Sequence, residues 1–106
     1  MPGLRPLPAR AVIRALAKAG YHFESQKGSH VKLRGPQGTM LIVPIHPGRP
    51  LKLGLLRAIV RQAGLSVDEF LRLHVLAQAR EDLALLVADV YLEHPDLVRL
   101  RVRLAR

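Results

Sequence analysis

The sequence predicts an α+β domain running helix, three strands, helix, with a further helical segment after it. Three observations predict it. Apolar residues recur at helical spacing near residues 8–19 and again at 51–63. Between these stretches the period drops to two, and the turn cluster Gly35-Pro36-Gln37-Gly38 interrupts it. From Ser66 to Leu92 there is neither Gly nor Pro.

The first helix is expected to begin near Pro8, a residue tolerated in a first helical turn. Val12, Ile13, Leu16 and Ala17 make its apolar stripe, and Gly20 is a natural stop. Arg10, Arg14 and Lys18 are spaced i, i+4, i+8 and share a face away from that stripe. Three antiparallel strands follow, at about 21–26, 30–34 and 39–44. Tyr21 and Phe23 alternate with His22 and Glu24, and Val31 and Leu33 with Lys32 and Arg34. The third strand, rich in apolar residues, is expected to be central or fully covered, and Pro44 to end its pairing.

A second helix is expected from Leu51 or Lys52 to Ala63, stopped by Gly64. Leu55, Leu56, Ile59, Val60 and Ala63 form its buried face, with Arg57 and Arg61 opposite. Ser66-Val67-Asp68-Glu69 then reads as a capping box, flanked by Leu65 and Phe70 as a hydrophobic staple. The helix it opens carries Leu76, Ala79, Leu83, Leu86 and Val90 at heptad-like spacing. His94-Pro95 should stop it. A continuous helix of that size is about 40 Å long and would overhang a small domain, so it either folds back at a break or pairs with another chain. Residues 98–104 alternate Val and Leu with Arg, as a strand with one basic face or a frayed helix. The chain thus divides into a domain at 1–73 and a mostly helical extension at 74–106.

Charge is distributed unevenly. Residues 1–73 hold 12 Lys and Arg against 3 Asp and Glu, which is the whole net charge of +9. Residues 74–106 are neutral, with 5 of each sign. A surplus confined to one segment is the footprint of a polyanion partner, usually nucleic acid. There is no cysteine, hence no disulfide, thiolate metal site or thiol nucleophile. The N-terminus lacks the apolar core of a signal peptide, and no apolar run reaches the roughly 18 residues of a membrane span. A soluble cytoplasmic protein is expected.

The helix-strand-strand-strand-helix order with basic helix faces resembles the double-stranded-RNA-binding fold, which reads A-form RNA through phosphates and 2′-hydroxyls. In that frame Lys27-Gly28-Ser29-His30 occupies the turn between the first two strands. Gly28 admits a close backbone approach, and Lys27 and Ser29 offer donors to phosphate. His30 titrates near neutral pH. Metal-free RNA cleavage needs a group that takes the 2′-hydroxyl proton and donors for the pentacoordinate phosphate. By spacing alone, a hairpin glycine beside a surface histidine reads equally well.

The runs Gly20-Tyr21, Gln26-Lys27-Gly28-Ser29-His30, Val43-Pro44-Ile45-His46, Leu53-Gly54-Leu55-Leu56-Arg57 and Gln62-Ala63-Gly64-Leu65-Ser66, followed by Glu69-Phe70, are similar in order and spacing to the HicA family of toxin–antitoxin systems. The resemblance covers about residues 7–73. It implies a dsRBD-like fold, mRNA endonuclease activity and neutralisation by a HicB antitoxin. No cofactor is expected, and three acidic residues in the first 73, none paired near a His, argue against a metal-dependent nuclease. The resemblance also implies that His30, in the Gly-Ser-His motif, is catalytic. Lys27, Gly28 and Ser29 would then bind phosphate, with Arg10, Arg14, Lys18, Arg57 and Arg61 adding affinity for the RNA backbone. Two positions depart from the family pattern: Val31, where a second His is frequent, and Leu55, where Thr is usual. His46 is either an auxiliary acid or phosphate donor, or a residue bonded to its own Pro-rich loop. A non-catalytic RNA- or DNA-binding module is the alternative function, and residues 75–92 suit a homodimer.

Overall fold

The computed structural model describes residues 3–93. Its elements are α1 (Ala9–Lys18), β1 (His22–Lys27), β2 (His30–Arg34), β3 (Met40–Pro44), α2 (Leu53–Gln62) and α3 (Val67–Glu93). The three strands form one antiparallel sheet in the order β1-β2-β3. This is the α+β, dsRBD-like order that the sequence predicts, with a C-terminal helix added.

The first two helices end in the same way. Gly20 and Gly64 take φ of +95° and +77°, values that suit a residue without Cβ. After α1 the Tyr21 N–H donates to Leu16 O and the Gly20 N–H to Ala17 O. After α2 the Leu65 N–H donates to Val60 O and the Gly64 N–H to Arg61 O. These paired bonds are Schellman caps, and each puts an apolar residue just past the glycine. The two caps meet, because the buried Tyr21 donates its hydroxyl to Ala63 O at 3.2 Å. The Tyr21 ring also lies against Gly35, where a Cβ would sit 2.6 Å from a ring carbon.

The core lies between one face of the sheet and the helices. Val31, Leu33, Leu41 and Val43 meet Val12 and Leu16 of α1, Leu56, Ile59 and Val60 of α2, and Phe70 of α3. Burying such a side chain stabilises by about 1.5–3 kcal/mol. Leu7 and Leu51 close one end, bridged by a Leu51 N–H to Leu7 O bond of 2.7 Å. The capping box forms as read: the Ser66 N–H donates to Glu69 Oε1, the Glu69 N–H to Ser66 Oγ, both at 3.1 Å. Leu65 and Phe70 beside it pack into the core.

Three expectations change. The third strand is neither central nor fully covered: two successive hairpins put β2 in the middle and β3 at an edge, and the outward Met40 and Ile42 are 46% and 38% exposed. Pro44 does not end the pairing. It stands opposite His30, and the next residue still donates, Ile45 N–H to Ser29 O at 2.6 Å. Bonds alternate along an antiparallel ladder, so the Pro44 nitrogen faces the free edge, where no hydrogen bond is lost. Leu55 is 40% exposed rather than buried, since it sits on the side of α2 that turns from the core. Phe23 is 60% exposed, because every residue of β1 lies outside the helical cover.

The long helix is continuous. It passes residues 73 and 74 without a break and packs on α1 as far as Ala77, which is buried, and Glu81, which pairs with Arg14 at 3.4 Å. Of its described side chains beyond Glu81, all are exposed, and the described residues span 48 Å in their longest dimension. The expected stop at His94-Pro95 and the alternating pattern at 98–104 lie outside the described residues. Among the described residues no helix is long and apolar enough to cross a membrane.

Candidate functional site

Lys27 and His30 are directly opposed across the β1–β2 hairpin, so the loop between them is two residues, Gly28 and Ser29. Gly28 has φ of +59° and Ser29 a negative φ, the pattern of a type II′ turn, whose twist matches that of paired strands. Gln26 Nε2 donates to Gly28 O at 3.1 Å and steadies the loop. The bond from Ile45 to Ser29 O fastens the same loop to the end of β3. His30 is therefore exposed on a short, well-tied turn, and opposed strand residues share a face of the sheet. The Lys27 ammonium and the His30 imidazole rise from that face together.

Period-two alternation extends the face. Lys32 and Arg34 follow His30 along β2, with Ile42 and Met40 as their partners on β3. Arg34 is already engaged: Nε and Nη2 bond the two Glu24 carboxylate oxygens at 3.2 and 3.1 Å, and Nη1 bonds Gly38 O. This guanidinium, by its hydrogen bonds first and its charge second, holds Glu24 below the usual carboxylate value.

Two hollows adjoin at the end of β3. The first, a groove of about 670 Å³ between β3 and α2, has His30, Met40, Ile42, Pro44, Leu55 and Ala58 along it, with Thr39 and Gln62 at the far end from His30. The second, of about 550 Å³, is lined by Arg10, His46 and Arg49 over Ile45 and the prolines of the 47–50 loop. Pro44 belongs to the first and Ile45 to the second, so the two are neighbours along the chain.

The expected site residues are thus partly gathered. Lys27, Gly28, Ser29 and His30 form one unit, and Arg10 joins His46 and Arg49 in the other hollow. His46 presents its ring to solvent while its carbonyl accepts the Arg49 N–H at 3.0 Å. Arg57 and Arg61 are exposed on α2. Arg14 points to Glu81 on α3, and Lys18 lies at the C-terminal end of α1, where a cation suits the helix dipole. Neither lines the hollows beside His30. Sequence reasoning missed Lys32 and Arg49, and the apolar trio Met40, Ile42 and Leu55. Lys32 was findable, two residues from His30 on the same strand face. The trio was not, because a groove between a strand edge and a helix leaves no periodic trace.

The family model for the HicA toxin of bacterial toxin–antitoxin systems matches residues 9–65. The chain belongs to the HicA toxin family. The match runs from the first residue of α1 to the Leu65 that closes the cap of α2, so it takes in the hairpin turn, the whole first hollow and all of the second but Pro8. Helix α3 begins beyond it. Membership implies an antitoxin partner for this HicA-type chain. A comparison with curated proteins found no match.

Proposed function

We propose that the chain is an endoribonuclease that cleaves mRNA without a metal ion, with His30 as its catalytic residue, and that a HicB-like antitoxin silences it. The observation that carries this is the exposed His30 directly opposite Lys27 on a tied turn, at one end of the groove between β3 and α2. His30 accepts the proton of a ribose 2′-hydroxyl. The 2′-oxygen attacks phosphorus, the P–O5′ bond breaks, and a 2′,3′-cyclic phosphate and a 5′-hydroxyl result, the leaving oxygen taking a proton from His30 or water. Lys27 and the Ser29 hydroxyl neutralise charge on the non-bridging oxygens. Arg10, Arg49 and His46 hold the neighbouring phosphate, and Arg57 and Arg61 contribute longer-range attraction. Of the three carboxylates within residues 1–73, Glu24 and Glu69 already have partners, Arg34 and Ser66, and Asp68 stands in the first turn of α3, so few acids are available to hold a metal. An antitoxin presenting acidic groups to this face would compete with RNA for the same cations.

The test is cleavage of an RNA transcript by the purified chain in excess EDTA. His30→Ala should lower the rate by about a hundredfold or more while the far-ultraviolet circular dichroism stays that of the parent. Undiminished cleavage would remove His30 from the mechanism. Binding of intact RNA with no cleavage by the parent chain would leave a non-catalytic nucleic-acid-binding module.

A second proposal concerns α3: two copies associate through residues 75–92. Leu76, Leu83 and Leu86 are 58–61% exposed at heptad-like spacing, on a helix whose described side chains beyond Glu81 are all exposed. Such a stripe fits knobs-into-holes pairing.

A further inference from the structure

We propose that the groove between β3 and α2 seats an unstacked base of single-stranded RNA, beside the phosphodiester that His30 attacks. The proposal rests on the nuclease reading only for the position of the scissile bond. Five large apolar side chains are well exposed within residues 3–73: Phe23, Met40, Ile42, Leu55 and Val67. Three of them, Met40, Ile42 and Leu55, converge on this one groove. Its volume, about 670 Å³, lies in the range of small-ligand pockets and is far too small for a duplex. His30 stands at one end, and Thr39 and Gln62 at the other provide a hydroxyl and an amide. An apolar floor with hydrogen-bonding groups at its end suits a nucleobase, which has a π-face and a polar edge.

Charge chooses RNA over an apolar peptide. Lys32, the cross-strand partner of Ile42, borders the groove on the sheet side. On α2, Arg57 and Arg61 lie on the solvent face next to Ala58 and Gln62, which line the groove. None of the described residues that line it is a carboxylate, and Glu24, on β1 across the sheet, is paired with Arg34. An apolar cleft between cationic banks is how single strands are held: phosphates follow the charges and bases bury their faces. A-form duplex keeps its bases stacked and offers phosphates and 2′-hydroxyls, so it gains nothing from Met40, Ile42 or Leu55. The domain thus keeps a duplex-reader's fold while its site takes a single strand.

The experiment is fluorescence anisotropy with the full chain and short 2′-fluoro RNA. That RNA lacks the attacking hydroxyl, so binding is read whether or not His30 is catalytic. Single-stranded RNA should bind more tightly than the duplex of the same sequence. Leu55→Gln, and separately Ile42→Thr, should weaken single-strand binding about tenfold and leave duplex binding unchanged. An abasic residue in the strand should reproduce that loss in the parent chain and add nothing in Leu55→Gln. Arg57→Gln with Arg61→Gln should weaken both forms alike. Duplex preferred to single strand, or groove variants that bind every RNA as the parent does, would overturn the proposal. Groove variants that bind RNA normally but escape the antitoxin would assign the groove to that protein instead. Loss of cleavage in His30→Ala is a separate result, and the groove stands or falls without it.

Discussion

At the scale of single residues, the fold depends on positions where one atom more or less decides the outcome. Gly35 is one. An added Cβ would lie 2.6 and 2.8 Å from two carbons of the Tyr21 ring, a ring held by its hydroxyl bond to Ala63 O. Gly35→Ala is therefore expected to destabilise by about 1–3 kcal/mol, the range for overpacking, measured by urea unfolding. Pairing it with Tyr21→Ala should relieve part of that loss, and strictly additive effects would show that the ring is not the cause. His30 illustrates a different dependence. Its position relies on bonds made by its neighbours, Gln26 to Gly28 and Ile45 to Ser29, so Gln26→Ala should slow RNA cleavage without removing any reacting group. The run Lys27-Gly28-Ser29-His30 was legible as the turn between the first two strands, while the direct opposition of Lys27 to His30 and the apolar groove beside it needed the sheet register.

At the scale of elements, helix ends were the most legible part of the sequence. Gly20, Gly64 and the Ser66–Glu69 box each act through bonds to backbone only a few residues away, so local sequence contains the whole cause. Strand coverage was not legible, because it depends on which helix lies over which strand. That is why Phe23, Ile42 and Leu55 are apolar yet exposed. The capping box gives a prediction with a defined sign. The Ser66 backbone N–H, and after it the Ser66 side chain, hold Glu69 below its ordinary value of 4.5. A lowered carboxyl pKa contributes stability that is complete above the unfolded value and is lost as pH falls through the folded one. Glu69→Gln should thus lower the melting temperature above about pH 5 and converge with the parent as the medium becomes more acid. A gap that widens on acidification would contradict the cap. Ser66→Ala, losing the hydroxyl that bonds the Glu69 N–H, should cost about 1 kcal/mol.

At the scale of the whole molecule, α3 is the part that the family match leaves unexplained. Its first turns belong to the core through Phe70 and Ala77, and its outer turns expose Leu83, Leu85, Leu86 and Leu92. A projecting helical segment of this kind has little stability of its own in water, so partnership with a second copy would support it. Leu83→Lys with Leu86→Lys is expected to halve the mass measured by light scattering while RNA cleavage by the isolated chain persists. Parent and variant of equal mass would rule out that contact. The heptad spacing was readable from sequence, and the structure adds that Leu76, Leu83, Leu86 and Val90 are exposed along it. Charge belongs to this scale as well. The +9 surplus of residues 1–73 predicts RNA affinity that falls steeply as salt is raised.

Among the described residues, the sheet also has an uncovered edge at β1. The outer side of β1 offers its backbone groups to solvent along a strand exposed at every residue, and such an edge is a template on which further strands could stack into fibrils. Between Phe23 and Ser25 the register slips, which breaks the even row of donors and acceptors, and the carboxylate of the intervening Glu24 is pinned there by Arg34. An irregular edge is a poor template for another strand, so deleting Glu24 to straighten it is expected to raise light scattering in a concentrated solution of the chain; unchanged scattering would show that the bulge does not guard the edge.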